Sequence, residues 1–233
     1  GMIGYPSLNL NLKGVICTHP AHIPLLGLDE SHHVNQFPMT DVVDKNLDMK
    51  PATVFLLAYW SLYVEGYPLF KKNKDSIFIK RKEVASYSSE ESTLAFRYGL
   101  SETLKKYSEH GISVVVIKDV PTQNGNIGFS YKNKLINLPL INDKIIPRLS
   151  GKDHLKKQAL VNSIIDELVL KFPNATSVDA SHPFFINGNF CKTGDDDGCY
   201  YRDEDHLNDF GAKKVLGSSV KKWLQKSFIL DKS

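Results

Sequence analysis

Long apolar runs are missing from this sequence. No run reaches the roughly 18 residues that a membrane-spanning helix needs, and no basic-then-apolar signal segment opens the chain. An excess of one charge is missing too, since 29 Lys and Arg stand against 26 Asp and Glu, and no basic block is interleaved with aromatic residues. A membrane-spanning helix is therefore not expected, and neither is a nucleic-acid partner.

Cysteine is scarce, with three in the chain. Cys191 and Cys199 bracket a short polar loop that a disulfide could close, which leaves Cys17 over. Two unpaired thiols in a reducing compartment are the alternative. Spacing alone leaves both interpretations open.

Apolar runs alternate with amphipathic helices, a pattern typical of an α/β fold, and 233 residues suffice for one sizeable core. One domain over residues 1–233 is therefore the expectation. Short runs rich in β-branched or apolar residues predict strands at residues 15–17, 53–58, 112–117 and 176–179. The third run directly follows a predicted helix, which indicates a β-α-β unit.

Three helices are predicted from apolar spacing and end signals. The first follows a capping box, Ser88-x-x-Glu91, and stops at Gly111. The second spans residues 153–172, and the last begins near Asn208, a favourable N-cap residue. The buried stripe of the second helix is predicted to be Leu155, Ala159, Ile164, Ile165, Leu168 and Phe172.

The residues with the clearest chemical potential come after a predicted loop over residues 181–202 and just before the last helix. Asp203 and His206 are spaced so that the carboxylate can accept the proton of the imidazole Nδ1 and leave Nε2 free to act as a base. The same spacing also occurs in solvated acidic loops without catalytic function. The pair is predicted to be a general base with its orienting group.

Three blocks of the sequence resemble one family, in one order. Residues 203–212 (DEDHLNDFGA) resemble the last conserved block of SGNH hydrolases, specifically of the SGNH domain fused to acyltransferase-3 membrane proteins that acetylate cell-surface polysaccharides. Residues 56–63 (LLAYWSLY) resemble the family's strand ending in a Trp-Ser-x-Tyr signature, and residues 111–121 (GISVVVIKDVP) resemble its next strand. The loop between Cys191 and Cys199 sits where the family often carries cysteines.

The resemblance implies a flavodoxin-like three-layer α/β sandwich with a mostly parallel sheet, and acyl transfer without a metal or other cofactor. It also implies a serine nucleophile in a Gly-Asp-Ser motif, and this sequence contains no such motif. Residues 5–8 (YPSL) resemble the segment that the family carries a few residues after that motif, so the nucleophile block is expected upstream of Met2 and the domain is expected to be N-terminally incomplete. Gly1 looks like a residue left by tag removal.

Two internal serines are candidates for the nucleophile. Ser7 lies close to the position that the resemblance implies, whereas Ser31 only superficially mimics the motif, and neither comes after a clear buried strand. Tyr59 and Trp60 lie where the oxyanion Asn of other SGNH enzymes would align. Since no Asn occurs there, both are predicted to line the substrate pocket, with a core position for Trp60 as the alternative.

No metal site is expected. The cluster formed by Cys17, His19, His22, His32 and His33 fits no closed site, and its prolines favour a surface loop. The acidic run at residues 195–198 (DDDG) lacks the alternating ligands of a calcium loop and favours a solvated turn.

The predicted function is O-acyl transfer, specifically of acetyl groups, to a cell-surface glycan, or ester hydrolysis where water replaces the glycan. A membrane acyltransferase domain would deliver the acyl group, which implies a periplasmic or extracellular location. The alternative is a noncatalytic, truncated SGNH-like remnant that binds glycan.

Overall fold

The structure is a computed structural model that describes residues 25–30, 39–65, 68–70, 73–76, 78–123, 149–185 and 190–217. The helices are α1 (Met39–Met49), α2 (Trp60–Glu65), α3 (Ser89–Glu109), α4 (Gly151–Val169) and α5 (Asp209–Gly211), which continues as a π-helical turn (Ala212–Leu216). The strands are β1 (Leu28–Glu30), β2 (Thr53–Leu57), β3 (Pro68–Phe70), β4 (Asn73–Ser76), β5 (Ile79–Arg81), β6 (Ser113–Ile117), β7 (Ala175–Val178), β8 (Gly194–Asp195) and β9 (Gly198–Cys199).

The described residues fall into two compact units. One contains β1 to β6 together with residues 158–177, and the other contains residues 120–123, 149–157 and those from 178 onward. Each unit has its own apolar cluster. The first includes Trp60, Phe96, Leu104, Val114 and Ile164, and the second includes Leu149, Phe184, Tyr200, Tyr201 and Val215. The single domain expected over residues 1–233 stays a prediction.

The main sheet has the order β2-β6-β7. β2 and β6 are parallel and in register, from Thr53 opposite Ser113 to Leu57 opposite Ile117. Since parallel neighbours need a crossover, the β-α-β unit predicted from the sequence is confirmed. Three of the predicted strands are therefore present, and the one predicted at residues 15–17 lies outside the described residues.

The described residues also form three short antiparallel pairs: β1 with β5, β3 with β4, and β8 with β9. None was predicted, because strands of two to four residues are too short to show a hydrophobic period. The β8–β9 hairpin and a 3-10 turn at His182–Phe184 fall within residues 181–202. The prediction that this stretch is entirely loop is therefore wrong.

Helix α3 begins and ends at the predicted signals, with one difference. Ser88 Oγ accepts a hydrogen bond from the backbone N–H of Glu91, with an N–O distance of 3.0 Å. The Glu91 carboxylate does not complete the capping box; it accepts from Arg81 Nε at 2.9 Å and Nη2 at 2.8 Å, which attaches α3 to β5. At the other end, Gly111 has a φ of 67°, the left-handed conformation that terminates helices.

The stripe predicted for α4 is correct in its C-terminal half and wrong in its N-terminal half. Ile164, Ile165 and Leu168 are buried as expected. Leu155, however, is 62% exposed, and Ala159 is exposed as well. The helix therefore presents a different face at its start than the apolar residues indicate.

Polar residues occupy the buried positions at the start of α4. His154 and Gln158 are both buried. The Gln158 Nε2 donates a hydrogen bond to Ser61 Oγ at 3.1 Å, and the His154 ring packs on Phe185 with 5.3 Å between ring centroids. Hydrophobic periodicity cannot detect a helix face that buries polar groups, which explains the error.

A carboxylate after β6 caps helix α2. Asp119 Oδ1 accepts from the backbone N–H of Trp60 at 2.8 Å, and its Oδ2 accepts from the backbone N–H of Ser61 at 3.0 Å and from Ser61 Oγ at 2.7 Å. The first turn of α2 has no acidic residue, so Asp119 supplies the negative partner that a helix N-terminus favours. Trp60 Nε1 also donates to Ile117 O at 2.7 Å. The family-like blocks at residues 56–63 and 111–121 are thus hydrogen-bonded to each other.

The start of α5 depends on close backbone packing. Asn208 Oδ1 accepts from the backbone N–H of Gly211 at 2.8 Å, which confirms the predicted N-cap. A Cβ atom added to Gly211 would lie 2.1 Å from Tyr200 O and 2.6 Å from Tyr200 Cα. Any side chain here would push α5 away from the backbone at residue 200.

Among the helices of the described residues, none is long and apolar enough to cross a membrane.

The pH dependence of stability tests the buried carboxylate. Burial raises the pKa of Asp119 to about 6, although the hydrogen bonds from Ser61 and Trp60 act in the opposite direction. The folded state therefore holds this proton more tightly than the unfolded state. The stability that Asp119 contributes is greatest below pH ~4 and declines as the pH rises to about 6, by roughly 3 kcal/mol.

Asp119→Asn should therefore flatten the dependence of the unfolding free energy on pH between about 4 and 6, measured by urea denaturation followed by circular dichroism. The matched control is the same change at exposed Asp48 on α1. A variant whose slope over this range equals that of the unsubstituted protein contradicts the assignment.

The close packing at α5 predicts a stability loss for Gly211→Ala. The added methyl group meets backbone atoms that cannot rotate away, so the unfolding free energy should fall by about 2 kcal/mol or more. Gly198→Ala is the control, because its Cβ would meet only the Phe210 ring, at 3.4 Å. Equal losses in the two variants, measured by urea denaturation, would show that the contact with Tyr200 is not limiting.

Candidate active site

The loop between Tyr201 and Leu207 carries the predicted acid–base pair. An antiparallel bridge between these two residues closes the loop, and the backbone N–H of Arg202 donates to His206 O at 2.8 Å. Asn208 Nδ2 donates to Cys199 O at 2.7 Å. The loop is thus held at its base by backbone pairing and by the residue that caps α5.

A second segment, residues 121–123, also holds this loop in place through hydrogen bonds. Tyr201 is buried, and its hydroxyl donates to Pro121 O at 2.8 Å. The backbone N–H of Gln123 donates to Glu204 O at 2.7 Å. The end of the family-like block at 111–121, with the residues just after it, therefore positions the block that contains the histidine.

Asp203 and His206 are paired as the sequence predicts. His206 Nδ1 lies 2.9 Å from Asp203 Oδ1 and 3.0 Å from Asp203 Oδ2. Asp203 Oδ1 also accepts from the backbone N–H groups of Asp205 at 3.2 Å and His206 at 2.8 Å. These bonds orient the carboxylate toward the ring, and a carboxylate at Nδ1 places the proton of the neutral imidazole on that nitrogen.

A second carboxylate reaches the same nitrogen, which the sequence reasoning missed. Asp205 Oδ1 lies 3.0 Å from His206 Nδ1. The contact with the Asp205 carboxylate raises the pKa of His206 above its ordinary value, and the charges of Asp205 and Asp203 add to the effect, while burial opposes it. The Asp-x-x-His spacing drew attention to Asp203 alone; a signal was available in the acidic character of the residue just before His206.

The Asp203 carboxylate is kept ionised. Burial favours its neutral form, but the backbone hydrogen bond from His206 and the charge of His206 outweigh it, so the pKa of Asp203 is lowered. Arg202 Nε lies 3.3 Å from Asp203 Oδ2. An ionised Asp203 can stabilise the imidazolium that forms when His206 takes up a proton.

The far nitrogen of His206 is available for chemistry. Its side chain is 29% exposed, and within the described part of the chain Nε2 makes no hydrogen bond. A serine hydroxyl would have to approach this atom. Ser7 and Ser31, the two candidate nucleophiles, lie outside the described residues.

The same three side chains also meet the distance condition for a metal site. One potential ligand atom each from Asp203, Asp205 and His206 lie within 4.8 Å of one another. The contacts of both carboxylates with the same ring nitrogen account for this grouping, and exposed acidic groups often cluster without a metal. The absence of a metal stays a prediction, and the cluster of Cys17 with the four nearby histidines lies outside the described residues.

The acidic run at residues 195–198 forms the turn of the β8–β9 hairpin. Lys214 Nζ contacts the carboxylates of both Asp195 and Asp197. The run therefore pairs with a cation of the chain itself, in keeping with the solvated turn predicted from the sequence.

The disulfide that the spacing of Cys191 and Cys199 allowed is not formed, and both residues are free thiols, which is the alternative kept from the sequence. The hairpin register places Gly194 opposite Cys199. Cys191 lies three residues before Gly194, so the two cysteines are not paired across the hairpin. Cys199 Sγ instead donates to Tyr201 O at 3.3 Å, and Cys191 Sγ accepts from Gln123 Nε2 at 3.1 Å.

The predicted substrate contact by Trp60 is wrong, because this side chain has no exposed surface. It packs against Phe96 and bonds to the backbone of β6, which is the core position kept as the alternative. Tyr59 is half-buried, and its predicted role stays a prediction. Sequence reasoning missed Asp119, although its place directly after a buried strand was a usable signal.

The family model of the SGNH domain (fused to AT3 domains) matches residues 7–217. No curated protein sequence gives a significant match. The periplasmic domain of a lipopolysaccharide acetyltransferase from Salmonella ser. Paratyphi A is 16% identical over 84% of this chain and 68% of that chain, with a TM-score of 0.51.

A GDSL-like lipase from Bacteroides thetaiotaomicron is 13% identical over 81% of this chain and 70% of that chain, with a TM-score of 0.43, too low to carry weight. The likeness to the Salmonella domain supports the fold alone, and it confirms the predicted α/β fold of SGNH type. The family match extends over nearly the whole chain and includes Asp203 and His206. The chain therefore belongs to the family of SGNH domains that occur fused to AT3 domains.

Proposed function

We propose that this chain is the acyl-transferring part of an SGNH enzyme in which His206 is the general base and acid and Asp203 is its positioning carboxylate. The observation that carries the proposal is the contact of His206 Nδ1 with Asp203 at 2.9 Å, while Nε2 of the same ring stays available. Hydrogen bonds within the loop and from residues 121–123 hold the pair in place. Membership of the SGNH family supplies the chemistry in which such a pair acts.

The reaction proceeds by two transfers of the acyl group. A serine hydroxyl attacks the carbonyl carbon of the acyl donor, and His206 Nε2 accepts the hydroxyl proton and passes it to the leaving group. An acceptor hydroxyl then attacks the acyl-serine ester, and His206 takes its proton and returns it to the serine oxygen. The acceptor leaves as an ester, and the enzyme is restored; with water as acceptor the product is a free acid.

The nucleophile belongs to a Gly-Asp-Ser block that the sequence does not contain. We place that block before Met2, because residues 5–8 resemble the segment that the family carries shortly after the motif. Ser7 is the internal alternative. Substrate and location are inferred from the family in the same way: a cell-surface glycan as acceptor, an AT3 membrane domain as acyl source, and a periplasmic or extracellular site.

A noncatalytic glycan-binding remnant is the second candidate function. The observation in its favour is the missing Gly-Asp-Ser motif. The codons immediately before Met2 distinguish the two: an in-frame Gly-Asp-Ser behind an apolar strand supports the enzyme, and a stop codon supports the remnant.

Hydrolysis of p-nitrophenyl acetate tests the assignment of the nucleophile. The chain as it stands should show little or no turnover, whereas a protein extended by an upstream Gly-Asp-Ser block should show turnover that falls by at least about 1,000-fold in His206→Ala. Glu204→Gln, a neighbouring change that leaves the pair intact, is the control. Strong turnover of the chain alone that Ser7→Ala abolishes would identify Ser7 as the nucleophile, and turnover unaffected by His206→Ala would exclude the proposed base.

The pH profile of the extended protein depends on the raised pKa of His206. The base must be neutral to accept a proton, so kcat/KM should rise with pH and level off only above the ordinary histidine value of about 6.5. Rates of p-nitrophenyl acetate hydrolysis from pH 5 to 9 give this curve. On its acid limb, kcat/KM should change about tenfold per pH unit. An acid limb centred below about 6.5 would contradict the arrangement of two carboxylates around the ring.

A further inference from the structure

The His206 ring faces two carboxylates through one nitrogen. Nδ1 lies 2.9 Å and 3.0 Å from the two oxygens of Asp203 and 3.0 Å from Asp205 Oδ1. The Nδ1 hydrogen bond goes to Asp203, and Asp205 adds an ion-pair contact at nearly the same distance.

The two carboxylates differ in what else they bind. Asp203 accepts two backbone N–H groups and lies beside the Arg202 guanidinium, so part of its negative charge is already committed. Among the described residues, by contrast, no backbone donor reaches the Asp205 carboxylate, whose ion-pair partner is His206. The negative charge of Asp205 therefore acts on the His206 ring.

We propose that Asp205 is a second positioning residue for His206, with a carboxylate that holds the ring at Nδ1 by charge, beside the hydrogen bond that Asp203 accepts. The proposal deepens the proposed function, since a fixed ring is what acyl transfer requires, and rests on it for that role. The two carboxylates repel each other, and protonation of the ring relieves this repulsion. Asp205 thus contributes to the raised pKa of His206.

Within the described ranges, the charged groups at this ring come from one short stretch of chain, residues 202–205. Asp203 and Asp205 contact it, Arg202 lies beside Asp203, and Glu204 lies between the two aspartates in the chain. Glu204 provides a matched control, because Glu204→Gln removes the same charge one residue from Asp205 and leaves both contacts to the ring. Asp205 and Glu204 are both half-buried, so neither change should prevent folding.

NMR titration of the His206 Cε1 proton in the purified chain tests the proposal without any need for enzymatic turnover. Asp205→Asn should lower the titration midpoint by about 0.5 to 1 pH unit, and Glu204→Gln should lower it by clearly less. Asp205→Glu, which keeps the charge, should restore at least part of the shift. Equal midpoints in Asp205→Asn and Glu204→Gln would overturn the proposal.

A second variant keeps the proposal testable if Asp205→Asn fails to fold. In Asp203→Asn the remaining Asp205 carboxylate should hold the midpoint above about 6.5, the ordinary value of a free histidine. A midpoint at or below that value would overturn the proposal. Failure here is distinguishable from failure of the proposed function, because loss of the Asp205 effect leaves the dependence of acetate-ester hydrolysis on His206 untouched.

Discussion

The site depends on the hydrogen bond between the Asp203 carboxylate and His206 Nδ1. A lone imidazole on a loop would rotate and exchange its proton between two nitrogens, and it would then be a poor base for a particular hydroxyl. Asp203 removes this freedom only because its own position is determined by two backbone N–H groups of the same loop. The loop in turn is closed by the bridge from Tyr201 to Leu207.

The family-like blocks of the sequence acquire separate physical roles in the structure. Gly211 belongs to the histidine block, and it allows α5 to approach the backbone of Tyr200. Trp60 and Ser61 belong to the block at residues 56–63, and both donate to Asp119 after β6. The family signature therefore records packing and helix capping as much as chemistry.

Much of the fold could be predicted from the sequence, because long apolar runs and strong end signals report on backbone structure directly. β2, β6, the ends of α3 and the N-cap of α5 are of this kind. The errors arise where polar groups are buried. His154 and Gln158 occupy core positions of α4, so an apolar stripe could not indicate its true face.

The parts of the site whose residues lie close together in the sequence could be predicted. Asp203 and His206 are near neighbours, and their pairing was accessible from spacing. The burial of Trp60 and its bond to Ile117 O depend on contacts between distant segments, which spacing does not contain. The free state of Cys191 and Cys199 depends on hairpin register, and register could not be determined from so short a polar stretch.

The most direct measurement of the central claim is the tautomer of neutral His206, determined from the ¹⁵N chemical shifts of its two ring nitrogens above the titration range. A carboxylate that accepts from Nδ1 requires the proton to reside there, with Nε2 unprotonated. The account predicts that the Nδ1–H tautomer dominates in the folded chain. Dominance of the Nε2–H tautomer, the form that free histidine prefers, would contradict it.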